Sequence, residues 1–411
     1  MNKKTMHLSI IAALALPLTG IAAPATLVSD EVSLRAALDA GQSHIIVSPG
    51  TGNISVTEPL VYGGEAMLKL EGHGLVINAG DLAGQPVLHL SNGADADLSD
   101  LSIVGPGGYS IENTGGGKGI FVEVPETREG IVNVKLTNVL VSNTGNHGVH
   151  ISDCSLGDDC GGGQGGGGDG SPASIHVELT NVTIDGAGFG KQDADGIRVD
   201  DRGDGGIVFN ATGSTFVNVG GDGVELDEGN EGDVQINVRN SHFENNGAYC
   251  SDEFVDDPLA LDPACNDDGD PDVDDAFDID EAGPGSILGN VTNVDLIANY
   301  DEGLDFDSEG EGSNNAIDLD FINIYARNNA DEAIKVSEEG GASVRVYMRN
   351  IDIGGDVEVE EEDEGDLQVS INASRIGDDL KLSEEGDGNG SVKLRGTTID
   401  DDKDFNNIDE I

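Results

Sequence analysis

Carboxylates in this chain recur at fixed offsets from a repeated hydrophobic couplet. The couplet reads Ile197-x-Val199, Val224-x-Leu226, Phe277-x-Ile279, Leu304-x-Phe306, Ile334-x-Val336, Val357-x-Val359 and Leu380-x-Leu382. Two residues ahead of it stand Asp195, Asp222, Asp275, Glu302 and Glu332, and just behind it Asp200, Asp227, Asp280 and Asp307. In a strand, the residue between the two apolar ones points the other way. That outward column runs Phe121, His150, Arg198, Glu225, Asp278, Asp305, Lys335, Glu358 and Lys381. Convergent carboxylates with backbone carbonyls suit calcium, which takes about six to eight oxygens in flexible geometry.

Short alternating strands must hold these residues, because no long helical pattern interrupts them. Successive couplets lie 27, 53, 27, 30, 23 and 23 residues apart from Ile197 onward. A repeat of this length, whose units bury little alone, predicts a β-solenoid. The 53 reads as one coil plus an insertion over 248–275, and a second insertion spans 152–173. The coil after Val224 continues through a turn into VQINV, with Val234, Ile236 and Val238 inward. A second column keeps step: Asn138, Asn181, Asn240, Asn293 and Asn350 each stand three residues before an apolar residue, with Asn323 at the matching place. At a tight corner an Asn amide both donates and accepts, so this column predicts a ladder between coils. Before the coils, Ser29-Asp30 caps a short helix offering Val32, Leu34, Ala37 and Leu38 to one end of the stack.

Stacked strands lie about 4.8 Å apart. Like charges at that separation repel by about 0.9 kcal/mol even in water, and more near a protein surface. Several acidic columns therefore require intervening cations.

The 411 residues carry 79 acids against 20 bases, a net charge of −59. Such a surface repels nucleic acid and anionic membranes. Forty-seven of the acids fall in residues 251–411, a gradient that uniform adaptation to salt does not predict. Residues 1–25 read as a secretory leader, with Lys3 and Lys4, an apolar run from Leu8 to Leu18, and small residues ending at Ala25. No later segment is apolar enough to span a bilayer, so residues 26–411 are expected as an exported, extracellular or periplasmic, solenoid domain. Cys154 and Cys160, and Cys250 and Cys265, form two sequence-local pairs inside the insertions and are expected as loop staples; zinc is the weaker reading. The glycine run over 161–170 lacks the ending of a phosphate loop and reads as a flap or spacer.

A capping helix followed by a strand, three strands per coil and an Asn column at the second corner resemble the right-handed parallel β-helix superfamily of pectate lyases. The resemblance covers most of residues 30–400. It implies an all-β fold and a working face on the couplet strands. It carries no diagnostic catalytic motif of any one family. Lyases of this superfamily abstract a proton beside a uronate carboxylate with Arg or Lys, while calcium neutralises the carboxylate. The resemblance thus implies Arg198, and second Lys335, as catalytic candidates, with His150, Glu225, Asp278 and Asp305 facing substrate. In the second insertion, Asn266, Asp268, Asp272 and Asp275 resemble part of the aspartate-rich loops of thrombospondin type 3 repeats and dockerins. Ala264 stands where the leading Asp of that pattern belongs.

Three readings follow. The first is a calcium-dependent exported protein that binds a polysaccharide or cell-surface glycan and cleaves it by β-elimination. The second is a non-catalytic surface, matrix or adhesion protein stabilised by calcium on its acidic columns. The third is salt adaptation without specific calcium, in which sodium chloride stabilises as well as calcium does.

Overall fold

A computed structural model describes residues 24–411, apart from 80, 81, 83, 106–116, 155–169, 189–192, 252–272 and 309–315. Residues 1–23 of the expected leader, residues 161–169 of the glycine run, and Cys160, Cys265, Asn266, Asp268 and Asp272 lie outside the described residues.

The chain is a parallel β-helix. Every paired strand is parallel to its neighbour one coil away, and the coils form two long sheets of 12 and 21 strands among the described residues. The couplet strands make the smaller sheet, in the register expected. Ile197 pairs with Val224, Val224 with Phe277, and Ile334 with Val357. The direct pairing of Val224 with Phe277 shows that the insertion loops out and leaves the stack unbroken. Val149 pairs with Ile197 across the first insertion in the same way.

The second and third strands of each coil merge into the larger sheet through the Asn corner. Asn138, Asn181, Asn240, Asn293, Asn323 and Asn350 all sit at φ between 53° and 57°. Asn is among the few residues that tolerate this left-handed geometry, since its side chain bonds locally. The amides stack: Asn293 Nδ2 donates to Asn240 Oδ1 at 2.9 Å, Asn323 to Asn293 at 2.6 Å and Asn350 to Asn323 at 2.7 Å. Gly213, φ 66°, takes the corner between Asn181 and Asn240 and interrupts the ladder.

Inward residues of all three strands form one continuous core. Ile197, Val199, Val224, Leu226, Val234 and Val238 are fully buried. Phe216 and Phe243 stack at 4.8 Å within it. Two glycines ahead of couplets have a steric reason: a Cβ on Gly196 or Gly223 would run into the carbonyl oxygen of the next coil. At the N-terminal end the helix Glu31–Asp39 is capped by Asp30, whose carboxylate accepts from the Ser33 amide at 2.8 Å. Leu34, Ala37 and Leu38 pack on the stack, whereas Val32 is 72% exposed, because it lies on the outer side of the helix. Among the described residues no helix is long and apolar enough to cross a membrane.

Candidate metal-binding face

The outward column of the couplet sheet exists as read, one residue per rung. His150 pairs with Arg198, Arg198 with Glu225, Glu225 with Asp278, Asp278 with Asp305, and Asp305 with Lys335. Lys335 then pairs with Glu358 and Glu358 with Lys381. The column behind it aligns Asp200, Asp227, Asp280 and Asp307.

The column ahead of the couplet also ties the backbone together. Asp195 Oδ1 accepts from the amide of Asp222 at 3.1 Å, Asp222 Oδ1 from Asp275 at 2.6 Å, and Asp275 Oδ1 from Glu302 at 2.8 Å. Each carboxylate thus satisfies an amide one coil onward that would otherwise be buried without a partner. A further acidic column, of which the sequence shows Asp201, Glu228 and Glu281 behind their couplets, closes the turn after the couplet strand. Asp201, Glu228, Glu281, Glu338, Glu361 and Glu384 are at most 1% exposed. Glu281 Oε1 accepts from the Gly283 amide at 3.0 Å and Glu361 Oε1 from Gly365 at 2.7 Å.

Along this face the charges are handled in two ways. Around Arg198 the protein supplies its own cations. Arg198 Nε bonds Asp200 Oδ1 at 2.7 Å, its Nη2 reaches Asp227 Oδ2 at 3.1 Å and its Nη1 reaches Asp195 Oδ2 at 3.4 Å and Glu225. Arg202, 2% exposed, adds a second guanidinium on Asp227. Burial works against the charge on Arg198, but Glu225, Asp200, Asp195 and Asp227 outweigh it and hold its pKa well above the ordinary value. Asp200 is lowered in turn, since Arg198 and His150 overcome its burial. Further along, Lys335 Nζ lies 2.8 Å from Asp305, 3.6 Å from Glu302 and 3.8 Å from Asp307. Lys381 contacts Asp356 at 3.0 Å, Glu358 at 3.2 Å, and Glu332.

Between these bases lies a stretch with none. Asp222, Asp275, Asp278 and Asp280 form no ion pair among the described residues. Three groups of carboxylates there bring ligand oxygens within 4.8 Å of one another: Glu225, Asp278 and Asp280; Asp275, Asp278 and Asp305; and Asp275, Asp301 and Glu302. Burial first, and then neighbouring carboxylates, push Asp222, Asp275 and Asp278 well above the carboxylate range. The same causes push Asp301 up to about 9. Groups so placed either hold protons or share a cation.

The remaining expected residues fall as follows. His150 keeps its place in the outward column but is 4% exposed and bonded at both ring nitrogens, covered by its neighbours. Cys154 and Cys250 are described, and neither is a free thiol. Their expected partners, Cys160 and Cys265, lie outside the described residues. Besides Arg202, the sequence reading missed the inner ladder of Asn246, Asn299 and Asn329, in which Asn246 Nδ2 donates to Asn299 Oδ1 and Asn299 Nδ2 to Asn329 Oδ1, each at 3.0 Å. It also missed Lys118, which stands in the column ahead of the couplet, two residues before Ile120.

No family model and no curated protein matches this chain. Among solved structures it is similar to PfbA, a surface adhesin of Streptococcus pneumoniae. One structure shares 13% identity at a TM-score of 0.46, over 91% of this chain and 89% of that one. Another shares 12% identity at a TM-score of 0.34, over 94% and 98%. The likeness is too distant to carry function; the fold rests on the parallel strand register itself.

Proposed function

We propose that this chain is an exported, non-enzymatic surface or matrix protein that holds divalent cation, calcium by its oxygen donor set, and engages an extracellular glycan through that metal. One observation carries the reading: the base-free stretch of carboxylates around Asp275 and Asp278, bounded by Arg198 on one side and Lys335 on the other. Where Arg198, Lys335 and Lys381 stand, the stack is neutralised from within. Between the first two, neutralisation is left to an ion from outside. The ligands are then Asp222, Asp275, Asp278, Asp280 and Asp301, with Glu225, Glu302 and Asp305 at the edges shared with Arg198 and Lys335. Asp195, Asp200, Asp227 and Asp307 are engaged by protein cations. A bound metal also gives this anionic face a means of holding uronate or sulfate groups.

The β-elimination reading needs a side chain that accepts a proton. Arg198 is surrounded by four carboxylates that stabilise its charged form. Burial opposes the charge on Lys335, but Asp305, Asp307 and Glu302 raise its pKa above the ordinary value. Both are held protonated more firmly than their free counterparts, so neither is available to accept a proton near neutral pH. The two loop staples, Cys154 with Cys160 and Cys250 with Cys265, belong to the same exported setting.

Binding to an immobilised panel of alginate, pectate and sulfated glycans tests the proposal. Retention in calcium, release by chelator, and no unsaturated uronate or new reducing end are expected. Ultraviolet-absorbing product would overturn the non-enzymatic part. Retention unchanged by chelator would overturn the metal bridge.

A further inference from the structure

At the N-terminal end of the couplet sheet lies a side-chain cluster that the metal reading does not use. Lys118 stands two residues ahead of Ile120, in the column continued by His147 and Asp195. The backbone fixes that order, since Gly119 N donates to the His147 carbonyl and Gly148 N to that of Asp195. Lys118 Nζ is hydrogen-bonded to His150 Nδ1 and lies 4.5 Å from the Phe121 ring centroid. His150 Nε2 lies 2.5 Å from Asp200 Oδ2. The other oxygen of Asp200 accepts from Arg198 Nε, so that carboxylate is held in place and ionised. An ionised Asp200 only accepts, which places the imidazole proton on Nε2 and leaves Nδ1 to accept from the lysine.

This is the geometry of a nucleophile, a neutral acceptor that positions it, and a third group that orients the acceptor. Lys335 and Lys381 differ, because each lies against carboxylates that favour the ammonium. The hydrogen-bond partner of Lys118 is an imidazole that burial keeps neutral down to about 3, against the pull of Asp200. We propose that the Lys118 amine, positioned by His150 and Asp200, condenses with a carbonyl compound, an aldehyde or the open-chain form of a sugar.

In that step the Nζ lone pair forms the bond to carbon and the carbonyl π pair moves to oxygen. One proton of the resulting ammonium passes to the alkoxide, while His150 Nδ1 holds the nitrogen through the hydrogen bond it accepts and Asp200 fixes the ring. Loss of the second amine proton and departure of the hydroxyl as water leave the imine. No oxidant or reductant is needed. Burial supports the step by lowering the Lys118 pKa to about 8, reinforced by Arg198 and opposed by Asp200 and Asp195. His147, with its ring 4.8 Å from that of His150, completes the charged and titratable groups around the pair.

Reductive trapping tests this. The protein would be incubated with glyceraldehyde and cyanoborohydride from pH 6 to 10, and the adducts located by peptide mass spectrometry. Lys118 is expected to react about tenfold faster at pH 8 than lysines with ordinary pKa. Its rate should rise with a midpoint near 8. His150→Gln should slow trapping at Lys118 and leave the rate at Lys69 unchanged. Trapping at Lys118 no faster than at Lys69, or a midpoint above 10, would overturn the proposal with the unaltered protein alone. A Lys118 rate indifferent to His150→Gln would overturn the positioning role of His150.

Discussion

Two stretches of one sheet carry the same kind of acidic column and neutralise it differently. At the rungs around Arg198, four carboxylates meet one guanidinium, and Arg202 adds another. At the next rungs, Asp275 and Asp278 occupy equivalent places with no base between them. The strands, register and core are shared, so the backbone cannot be the source of the difference. A stacked fold repeats its side-chain positions at fixed spacing whatever residues fill them. It therefore forces each column to be charge-balanced rung by rung, from within or from outside.

Removing the inner cation should have the largest effect. Arg198→Met keeps the stem but leaves Asp200 and its neighbours uncompensated, and breaking a buried pair costs about 3–5 kcal/mol. Amide exchange in residues 195–228 should accelerate, and calcium should stabilise the variant more than the parent. If Arg198→Met unfolds no more readily than the parent, the two stretches are not different in kind.

The converse change moves the other way. Asp278→Lys places a base in the empty stretch and should make the protein indifferent to calcium by thermal melt. The lost response would be about 2.7 kcal/mol if the parent is measured at a hundred times its Kd. A full calcium response in that variant would move the site elsewhere.

Acid–base behaviour sharpens the contrast. Burial, and then neighbouring carboxylates, raise Asp201 to about 8 and Glu228 to about 10. Groups raised on folding stabilise fully below their unfolded pKa of about 4, and that stability is lost as pH rises through the folded values. In chelator, the melting temperature should therefore fall steadily from pH 5 to pH 10. Asp195 and Asp200 are shifted the opposite way, so their contribution is lost only in strong acid. A melting temperature that rises from pH 5 to pH 8 in chelator would contradict the raised column.

The smallest effect belongs to the feature both stretches share. Asn293→Gly keeps the corner conformation and removes two exposed rungs of the amide ladder, for about 0.5–1.5 kcal/mol. An equal loss is expected in calcium and in chelator.

The fold was legible because its period is written in residue types. Couplets, the Asn corner and the register across both insertions all repeat with the coil, and the outward column followed from strand alternation alone. What stayed hidden depends on direction and not on period. Asp195, Asp222 and Asp275 look like surface charge in sequence, yet their oxygens accept backbone amides one coil away. Glu228 and Glu281 look like turn residues, yet they are buried. Arg202 follows two aspartates in an apparent turn and gives no sign that it reaches inward to Asp227. Lys118 carried a usable signal, a base standing in the position that acids fill further along, but its partners lie 32 and 82 residues away.

Thermal unfolding of the metal-free protein, titrated with calcium and with sodium chloride at matched ionic strength, tests most directly whether outside cations complete this stack. Calcium at millimolar concentration or below should raise the melting temperature far more than matched salt, and Asp275→Asn with Asp278→Asn should abolish the difference. Equal stabilisation by the two salts, or none by calcium, would contradict it.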